Sequence, residues 1–441
     1  MSLRTGAIDL FLQTLSRTSV AANMRRRVSC SASTLHVGDE SYSLRDFPRV
    51  VVVGIGKAAV PMFEALRSLI EPELSSQQTI EGVIVGTAQP QGGHFQVQHF
   101  LGSHPIPDEG SRVAADAILT LLRSCNESCL VFFLVSGGAS AMVESPLDSN
   151  ITLEETALFH RALVQSGLPI TDMNVLRKHF SKVKGGRLAV AAGRATQCTL
   201  ILSDIPGDAL HMVGSGPSLP DPSTIQDCQR LLQANRDALK LPDKLLAFFT
   251  EPLLPETPKG DHPAFLEATW TSLLSSDDLC REASALATQL GFEVLVDNSC
   301  DDWDYRDAAD YLLGRITTLH QTNPKVCLIS AGEVSVKLSD LHGVGGRNQH
   351  FVLECARLIA NRCLVVTVLS AGSDGIDGNS GAAGAVCDET TFARARERGL
   401  DPLGSLSQFD SFRLFDALGD TVITGPTGQN VRDLRILLLS T

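Results

Sequence analysis

Short runs of valine, isoleucine and leucine recur along the chain and are separated by segments of helical length. The runs are residues 50–53, 83–85, 130–135, 199–202, 294–296, 326–329 and 364–369. Continuous apolar runs of this kind predict parallel sheets that helices cover on both faces, an α/β architecture. In such sheets ligands bind beyond the carboxyl ends of the strands, so the residues after each run are the candidates for chemistry.

Two domains are expected, because 441 residues exceed the size at which a single hydrophobic core stops growing. The alternation of strands and helices fades between residues 238 and 278, a segment that holds five prolines. Prolines interrupt regular structure, so this segment is predicted to connect one domain, residues 1–237, to a second domain, residues 279–441.

The formal net charge of −13 argues against a nucleic-acid or anionic-membrane partner, since either would favour a basic surface. No uncharged apolar run reaches the roughly 18 residues of a membrane span, and no secretion signal pattern is present.

Eleven irregularly spaced cysteines indicate free thiols in a reducing compartment. We therefore expect a cytoplasmic protein. A mitochondrial location stays open, because a transit segment removed ahead of this sequence would not be visible in it. Whether the protein is a monomer or a homodimer also stays open.

The turn after the first run combines a glycine pattern with a lysine. Gly54, Gly56 and Ala59 fit the dinucleotide-binding fingerprint G-x-G-x-x-A. That fingerprint also needs an acid at the end of the next strand to bind a ribose hydroxyl, and residues 82–87 contain none. Lys57 lies where strand turns into helix, so its ammonium and the free N–H groups of the helix suit a phosphate or carboxylate.

Two polar loops follow later runs in the first half. Residues 136–141 read Ser-Gly-Gly-Ala-Ser-Ala, and the glycines allow backbone N–H groups to approach an anion. Residues 203–208 read Ser-Asp-Ile-Pro-Gly-Asp, where Asp204 and Asp208 can hold Mg²⁺ or accept a proton from a substrate hydroxyl. Ordinary turn chemistry also explains Asp, Pro and Gly at such positions.

Positive charge is densest in residues 174–187, which include Arg177 and Lys178. One or two of these cations are predicted to reach a ligand carboxylate or phosphate, and the others to face solvent. The segment therefore supplies candidates for anion binding in a chain that is acidic as a whole.

Glycine-rich loops recur in the second half. Residues 343–346 precede Arg347 and Asn348, and apolar residues at helical spacing follow, so both side chains are predicted at a helix N-terminus, a natural phosphate position. Arg347 there would stabilise charge on a transferring phosphoryl group. Asp374 and Asp377, after the run at 364–369, offer oxygens to a metal, although a turn of Asp and Gly needs no metal. Together these loops favour phosphoryl transfer, which requires positioning, positive charge and Mg²⁺.

Nine motifs in order along nearly the whole chain resemble the glycerate kinase family that forms 2-phosphoglycerate and has a C-terminal MOFRL domain. The motifs are G-I-G-K-A-A (54–59), H-P-I-P-D-E (104–109), L-V-S-G-G-A-S-A (134–141), N-V-L-R-K-H-F-S-K-V-K-G-G-R-L-A (174–189), S-D-I-P-G-D (203–208), G-S-G-P-S (214–218), G-G-R-N-Q (345–349), S-A-G-S-D-G-I-D-G (370–378) and T-G-P-T-G-Q-N (424–430). The resemblance implies a Rossmann-like N-terminal domain with a parallel sheet, a smaller α/β C-terminal domain, and an active site in the cleft between them. It also implies ATP, D-glycerate and a divalent metal such as Mg²⁺ as ligands.

The resemblance further implies roles for individual residues. The catalytic residues would be Lys57, Arg347 and one of Asp204 and Asp208, a choice that stays open. The metal would be held by Asp204, Asp208, Asp374 and Asp377. Substrate or phosphate would be bound by Gly56, Ser136, Gly137, Gly138, Ser140, Arg177, Lys178, Ser215, Gly216, Asn348, Thr424 and Gly425. The chain departs from the family pattern at Ala139 and Gln429, where glycine and threonine are more usual, so contacts of those two loops are less firmly implied.

Two alternatives to an ATP-dependent glycerate 2-kinase stay open. A hydroxypyruvate reductase would bind a nicotinamide cofactor and would need the ribose-binding acid that is missing after residues 83–85. A non-catalytic metabolite-binding protein would be expected to have lost charged positions, yet Lys57, Asp204, Asp208 and Arg347 are all present.

Overall fold

The computed structural model describes residues 2–87, 96–203, 209–250, 254–337 and 342–440. It contains two compact units, Asn23–Leu273 and Met1–Ala22 with Leu274–Thr441. We call the first the parallel-sheet unit and the second the mixed-sheet unit, after the sheet at the centre of each. The two-domain α/β fold predicted from the sequence is therefore confirmed.

The parallel-sheet unit is built around six strands in the order β6-β5-β4-β7-β8-β9. They are β4 (Arg49–Ile55), β5 (Thr79–Gly86), β6 (Val97–Leu101), β7 (Cys129–Val135), β8 (Thr196–Leu202) and β9 (Thr269–Leu274). The pairs from β6 to β8 are all parallel. A separate antiparallel sheet is formed by β1 (Val28–Ser31), β2 (Thr34–Val37) and β3 (Glu40–Ser43).

The helices of this unit, apart from α2, follow strands, as the apolar pattern predicts. They are α2 (Val20–Arg27), which spans the boundary between the units, α3 (Ala59–Ile70), α4 (Glu109–Arg123), α5 (Ala139–Met142), α6 (Leu153–Gln165), α7 (Ile170–Phe180), α8 (Arg187–Ala191), α9 (Ile225–Ala234), α10 (Arg236–Leu239) and α11 (Asp243–Thr250). Strands β4 and β7 are buried along almost their whole length, so the sheet forms the core of the unit.

The mixed-sheet unit has six strands in the order β10-β11-β15-β12-β13-β14. They are β10 (Glu293–Val296), β11 (Lys325–Ala331), β12 (Thr367–Gly372), β13 (Gly384–Cys387), β14 (Thr421–Val422) and β15 (Asp433–Ser440). Its helices are α1 (Leu3–Arg17), α12 (Ser276–Gln289), α13 (Tyr305–His320), α14 (Arg347–Arg362), α15 (Thr391–Glu397), α16 (Pro402–Ser407) and α17 (Ser411–Leu418). The prediction of parallel pairing was wrong for this sheet, because β15 lies antiparallel between β11 and β12.

The units also have different bounds from the predicted domains. Residues 238–250, predicted to connect the domains, include α11, whose Phe248 and Phe249 pack against Phe180 with ring centroids 5.6 and 6.2 Å apart. Helix α1 belongs to the mixed-sheet unit because its apolar face, with Leu10 and Phe11 buried, packs there.

Two further features of the structure concern the cysteines and the character of the helices. All eleven cysteines are free thiols, as their irregular spacing predicts. None of the helices within the described residues combines the length and the apolar character that crossing a bilayer requires.

Candidate functional site

The Lys57 turn and the loop after β7 lie side by side because β4 and β7 are parallel neighbours, with Ile55 opposite Val135. The backbone N–H of Lys57 donates to the carbonyl oxygen of Gly137 at 2.9 Å, and that of Ser136 donates to Ile55 at 3.0 Å. The structure thus brings together two loops that the sequence suggested separately.

Gly56 permits this close approach. Its φ of 123° lies in a region that side chains rarely adopt, and a Cβ there would come within 2.3 Å of the Ser136 Oγ. That hydroxyl accepts a hydrogen bond from the Ala58 N–H at 3.0 Å, at the start of α3. Gly56 and Ser136 therefore shape the turn, and Lys57 is left half-buried at its tip.

A chain of polar side chains connects the end of the Ser136 loop to α7. The hydroxyls of Ser140 and Ser215 lie 2.8 Å apart, and the Ser215 hydroxyl donates to the Asn174 Oδ1 at 2.9 Å. Arg177 Nη1 lies 3.5 Å from the same oxygen. Gly216, next to Ser215, has a φ of 58° that favours glycine. Asn174 organises this cluster, although sequence reasoning gave it no role.

Arg177 is a buried cation with few partners. It is 8% exposed, and its Nε has no hydrogen-bond partner among the described residues. Burial lowers the pKa of Arg177, although Glu144 acts in the opposite direction. Glu144 itself is bound to Lys184 at 2.6 Å and to His160 at 2.7 Å. The guanidinium therefore retains hydrogen-bonding capacity for an anion.

The charges of Lys57 and Arg177 both act on the side chain of His104. Partial desolvation lowers the pKa of His104, and the positive charges of Lys57 and Arg177 lower it further. Two positive charges therefore act on His104, in a chain whose net charge is −13. His104 belongs to the H-P-I-P-D-E motif, which was the available signal for it in the sequence.

Lys178, the neighbour of Arg177, has a different environment. Its Nζ lies 3.0 Å from the Asp221 Oδ1, and both side chains are almost completely buried. Asp221 also accepts hydrogen bonds from the N–H and hydroxyl of Ser223. The ion pair with Asp221 supports a structural role for Lys178, and its predicted contact with substrate stays a prediction.

In the mixed-sheet unit, Arg347 begins α14 and is bound by two acids. Its Nε lies 2.6 Å from the Asp433 Oδ2, and its Nη2 lies 2.7 Å from the Glu333 Oε1. Burial would lower the pKa of Arg347, but Asp433 and Glu333 raise it above its usual range. Glu333 follows β11 and is visible in the sequence as a polar residue after a strand. Asp433 begins β15 and gave no such signal.

Asp377 occupies the N-terminus of α14. Its carboxylate accepts hydrogen bonds from the backbone N–H groups of Asn348 at 3.0 Å and Gln349 at 2.9 Å. Burial raises the pKa of Asp377 to about 6, although those N–H bonds act in the opposite direction. The Asp377 carboxylate thus takes two of the N–H groups that a phosphate at this helix end would use, and the predicted phosphate contact of Asn348 stays a prediction. The predicted role of Asp377 as a metal ligand also stays a prediction.

Two predicted loops of this unit are bonded to each other. The Thr427 N–H donates to the carbonyl oxygen of Asp374 at 3.1 Å, and its hydroxyl donates to Ser373 at 2.6 Å. The Thr424 hydroxyl donates to the carbonyl oxygen of Gly425 at 2.8 Å, so it is used locally. The structure brings Asp374, Thr424 and Gly425 together, whereas their predicted roles in binding stay predictions.

A cavity of about 610 Å³ lies next to Arg347 within the mixed-sheet unit. Arg347, Asp374 and Asp377 line it, together with His350 and Phe409. Among the described residues no group of three or more His, Cys, Asp or Glu side chains is placed to hold a metal ion. Asp204 and Asp208 lie outside the described residues, as does the choice between them. The cleft location implied by the resemblance stays a prediction.

Two family models match the chain, one in each half. A model described as a domain of unknown function, DUF4147, matches residues 7–250, and the MOFRL family model matches residues 326–433. These matches agree with the two-part organisation of the structure.

Individual relatives match over most of the chain. A glycerate 2-kinase of Pyrococcus horikoshii is 33% identical over 401 residues, 89% of this chain and 88% of the relative. A protein of Agrobacterium vitis described as a putative hydroxypyruvate reductase is 35% identical, covering 89% of this chain and 87% of its own. The crystal structure of a glycerate kinase from Thermotoga maritima has a TM-score of 0.83 and 30% identity, with 99% of both chains covered.

Proposed function

This chain belongs to the glycerate kinase family with a C-terminal MOFRL domain, and on that premise we propose that it is an ATP-dependent glycerate 2-kinase. The reaction transfers the γ-phosphate of ATP to the 2-hydroxyl of D-glycerate and gives 2-phosphoglycerate and ADP. The kinase names of the relatives support the use of ATP and glycerate.

The observation that carries the proposal is the pair of cations formed by Lys57 and Arg177. Arg177 is buried and its Nε is unpartnered among the described residues, a costly state that a bound carboxylate relieves. We assign the carboxylate of glycerate to Arg177, because a guanidinium matches a carboxylate with two parallel hydrogen bonds. Lys57 then neutralises phosphate oxygens as a point charge.

The loop of residues 136–140 orients the substrate in this scheme. Its glycines, Gly137 and Gly138, allow backbone N–H groups to approach an anion, and Gly138 has a φ of 85°. The Ser140 hydroxyl is tied to Ser215, which fixes the far end of the loop. A loop held at both ends is suited to positioning, which is the main contribution a protein makes to phosphoryl transfer.

Arg347 is proposed to stabilise the transferring phosphoryl group. Glu333 and Asp433 hold its guanidinium in place, so little conformational freedom is lost when charge develops in the transition state. A Mg²⁺ ion is proposed to bridge phosphate oxygens and neutralise their charge. Asp204 and Asp208 are its proposed ligands, since carboxylate oxygens are what this hard cation prefers.

A hydroxypyruvate reductase is the alternative, because two relatives from Agrobacterium vitis are described as putative hydroxypyruvate reductases. It would require a dinucleotide site at the Gly54 turn. Strand β5 ends at Gly86 and is followed by Thr87, so the ribose-binding acid of that site is missing at this position. The kinase proposal is therefore better supported.

The test is an assay of the purified protein with D-glycerate, ATP and Mg²⁺, with 2-phosphoglycerate and 3-phosphoglycerate separated. A parallel assay contains NADH and hydroxypyruvate. Formation of 2-phosphoglycerate supports the proposal, and 3-phosphoglycerate alone contradicts the proposed site of transfer. Oxidation of NADH without a phosphorylated product favours the reductase.

A further inference from the structure

The cavity beside Arg347 has an unsatisfied histidine in its wall. His350, on the second turn of α14, is 2% exposed, and neither ring nitrogen has a hydrogen-bond partner among the described residues. Its ring lies between those of Tyr305 and Phe409, with centroids 4.6 Å from each. A buried ring with two unused polar atoms is unfavourable by itself, so this histidine indicates a missing partner.

The charges of the cavity disfavour an anion as the hydrogen-bond partner of His350. Asp374 and Asp377 both line the cavity, and Arg347, the one arginine among the described lining residues, is already paired with Glu333 and Asp433. An anion bonded to His350 would therefore share the cavity with two carboxylates, which disfavours it. Glycerate, a small anion, is disfavoured for the same reason, and the cavity suits an uncharged polar molecule.

The size and walls of the cavity favour a planar heterocycle with hydroxyl groups attached. Its volume of about 610 Å³ is that of a small-molecule site. Val334, Val336 and Ile376 supply apolar surface, and Phe409 supplies a half-buried aromatic ring. A neutral imidazole offers one donor and one acceptor, and either can bond to a polar atom at the edge of a nucleobase. A carboxylate such as Asp374 is a suitable acceptor for ribose hydroxyls.

We propose that this cavity binds the base and ribose of the nucleotide donor, with His350 bonding to the base and Asp374 to a ribose hydroxyl. The inference rests on the proposed function, because it assigns the nucleoside of the phosphoryl donor to the mixed-sheet unit. Phe409 has a φ of 53°, an unusual conformation for a bulky residue, and it places the ring against His350 beside the cavity.

The first experiment measures ADP and tripolyphosphate binding by calorimetry in the full-length protein and in His350→Ala. We expect at least a tenfold loss of ADP affinity and no change for tripolyphosphate, which lacks a base. In turnover assays KM for ATP rises while KM for D-glycerate stays constant. His320→Ala is the matched control: its Nδ1 is also buried and unpartnered, but it lies at the end of α13 and does not line the cavity. Unchanged ADP affinity in folded His350→Ala overturns the proposal.

A second variant keeps the test decisive if His350→Ala does not fold. Asp374→Asn should weaken ADP about tenfold but leave 2′,3′-dideoxy-ADP unaffected, because the latter has no ribose hydroxyl to lose. Equal weakening of both nucleotides points to a metal-binding role for Asp374 and contradicts the ribose contact. The proposed function fails separately: ADP binding that depends on His350, without glycerate phosphorylation, supports the nucleoside site and removes the kinase.

Discussion

Arg177 and Lys178 are adjacent buried cations on α7, and replacing each by methionine separates substrate binding from folding. Lys178 is paired with Asp221 at 3.0 Å, with side chains 3% and 0% exposed. Methionine keeps most of the volume of the lysine stem but leaves the Asp221 charge without its partner. Removing one member of a buried ion pair costs about 3–5 kcal/mol.

That cost is large on the scale of a domain. For a unit of this size, 1 kcal/mol changes the Tm by about 2–4 °C, so Lys178→Met is expected to lower it by about 6–20 °C. Arg177→Met removes a buried cation that has no ion-pair partner among the described residues, so the free energy of unfolding is not expected to fall. Loss of a charge-assisted bond to glycerate, about 1.5–3 kcal/mol, should raise KM about 10- to 150-fold.

Tryptophan fluorescence during urea unfolding measures these changes unit by unit. Trp270 lies in the parallel-sheet unit and Trp303 in the mixed-sheet unit, and the chain has two tryptophans. In a Trp303→Phe background, the signal therefore reports on the unit that contains α7. Lys178→Met/Asp221→Asn is the control, since removing both charges should recover much of the lost stability. Equal destabilisation by both single variants, with an unchanged KM in Arg177→Met, would refute the distinction between the two cations.

Three further results are expected. Lys57→Ala should lower kcat at least tenfold in steady-state assays while the urea midpoint stays constant, because its side chain lies at the tip of a turn; full activity would exclude the role. Arg347→Ala should lower both turnover and the stability of the mixed-sheet unit, because buried Asp433 loses its cation. Arg347→Lys should retain much of the stability and still lose turnover. A fully active lysine variant would contradict the need for a guanidinium. Burial lowers the pKa of His350 to about 4, below an unfolded value of about 6.5, so between these pH values the unfolded state binds more protons. The stability that comes from keeping His350 neutral is fully present above pH 6.5, and about 3 kcal/mol of it is lost as pH falls towards 4. In urea titrations at several pH values, His350→Asn should show a flatter dependence of unfolding free energy on pH. An identical dependence in the variant would contradict the assignment of this pH effect to His350.

The strands were predictable from the sequence because their signal is local. Six of the seven apolar runs lie within β4, β5, β7, β8, β10 and β11, and the seventh overlaps β12, which begins at Thr367. The position of β15 was not predictable in this way. Its insertion between β11 and β12 depends on pairing across the whole unit, and a periodic pattern does not encode which strands become neighbours.

The candidate site was predictable to the extent that it follows strand ends. The contact between the Lys57 turn and the Ser136 loop follows from the parallel pairing of β4 and β7. Which cations are free for a ligand was not predictable, because Arg177 and Lys178 are consecutive in sequence and differ through the distant Asp221. His350 was missed for a similar reason, since its lack of partners is a property of the packed unit.

The mixed-sheet unit is discontinuous in sequence, so its two segments are synthesised at different times. Its helix α1 is synthesised before any of the parallel-sheet unit, and Arg4 of that helix pairs with Asp388, which emerges much later. Strand β15, at the centre of the sheet, is later still. The parallel-sheet unit can therefore complete its fold on the ribosome, whereas α1 waits with its apolar face uncovered. A chain interrupted before β15 would lack the strand that joins β11 to β12 and would leave their facing edges unpaired and prone to aggregation.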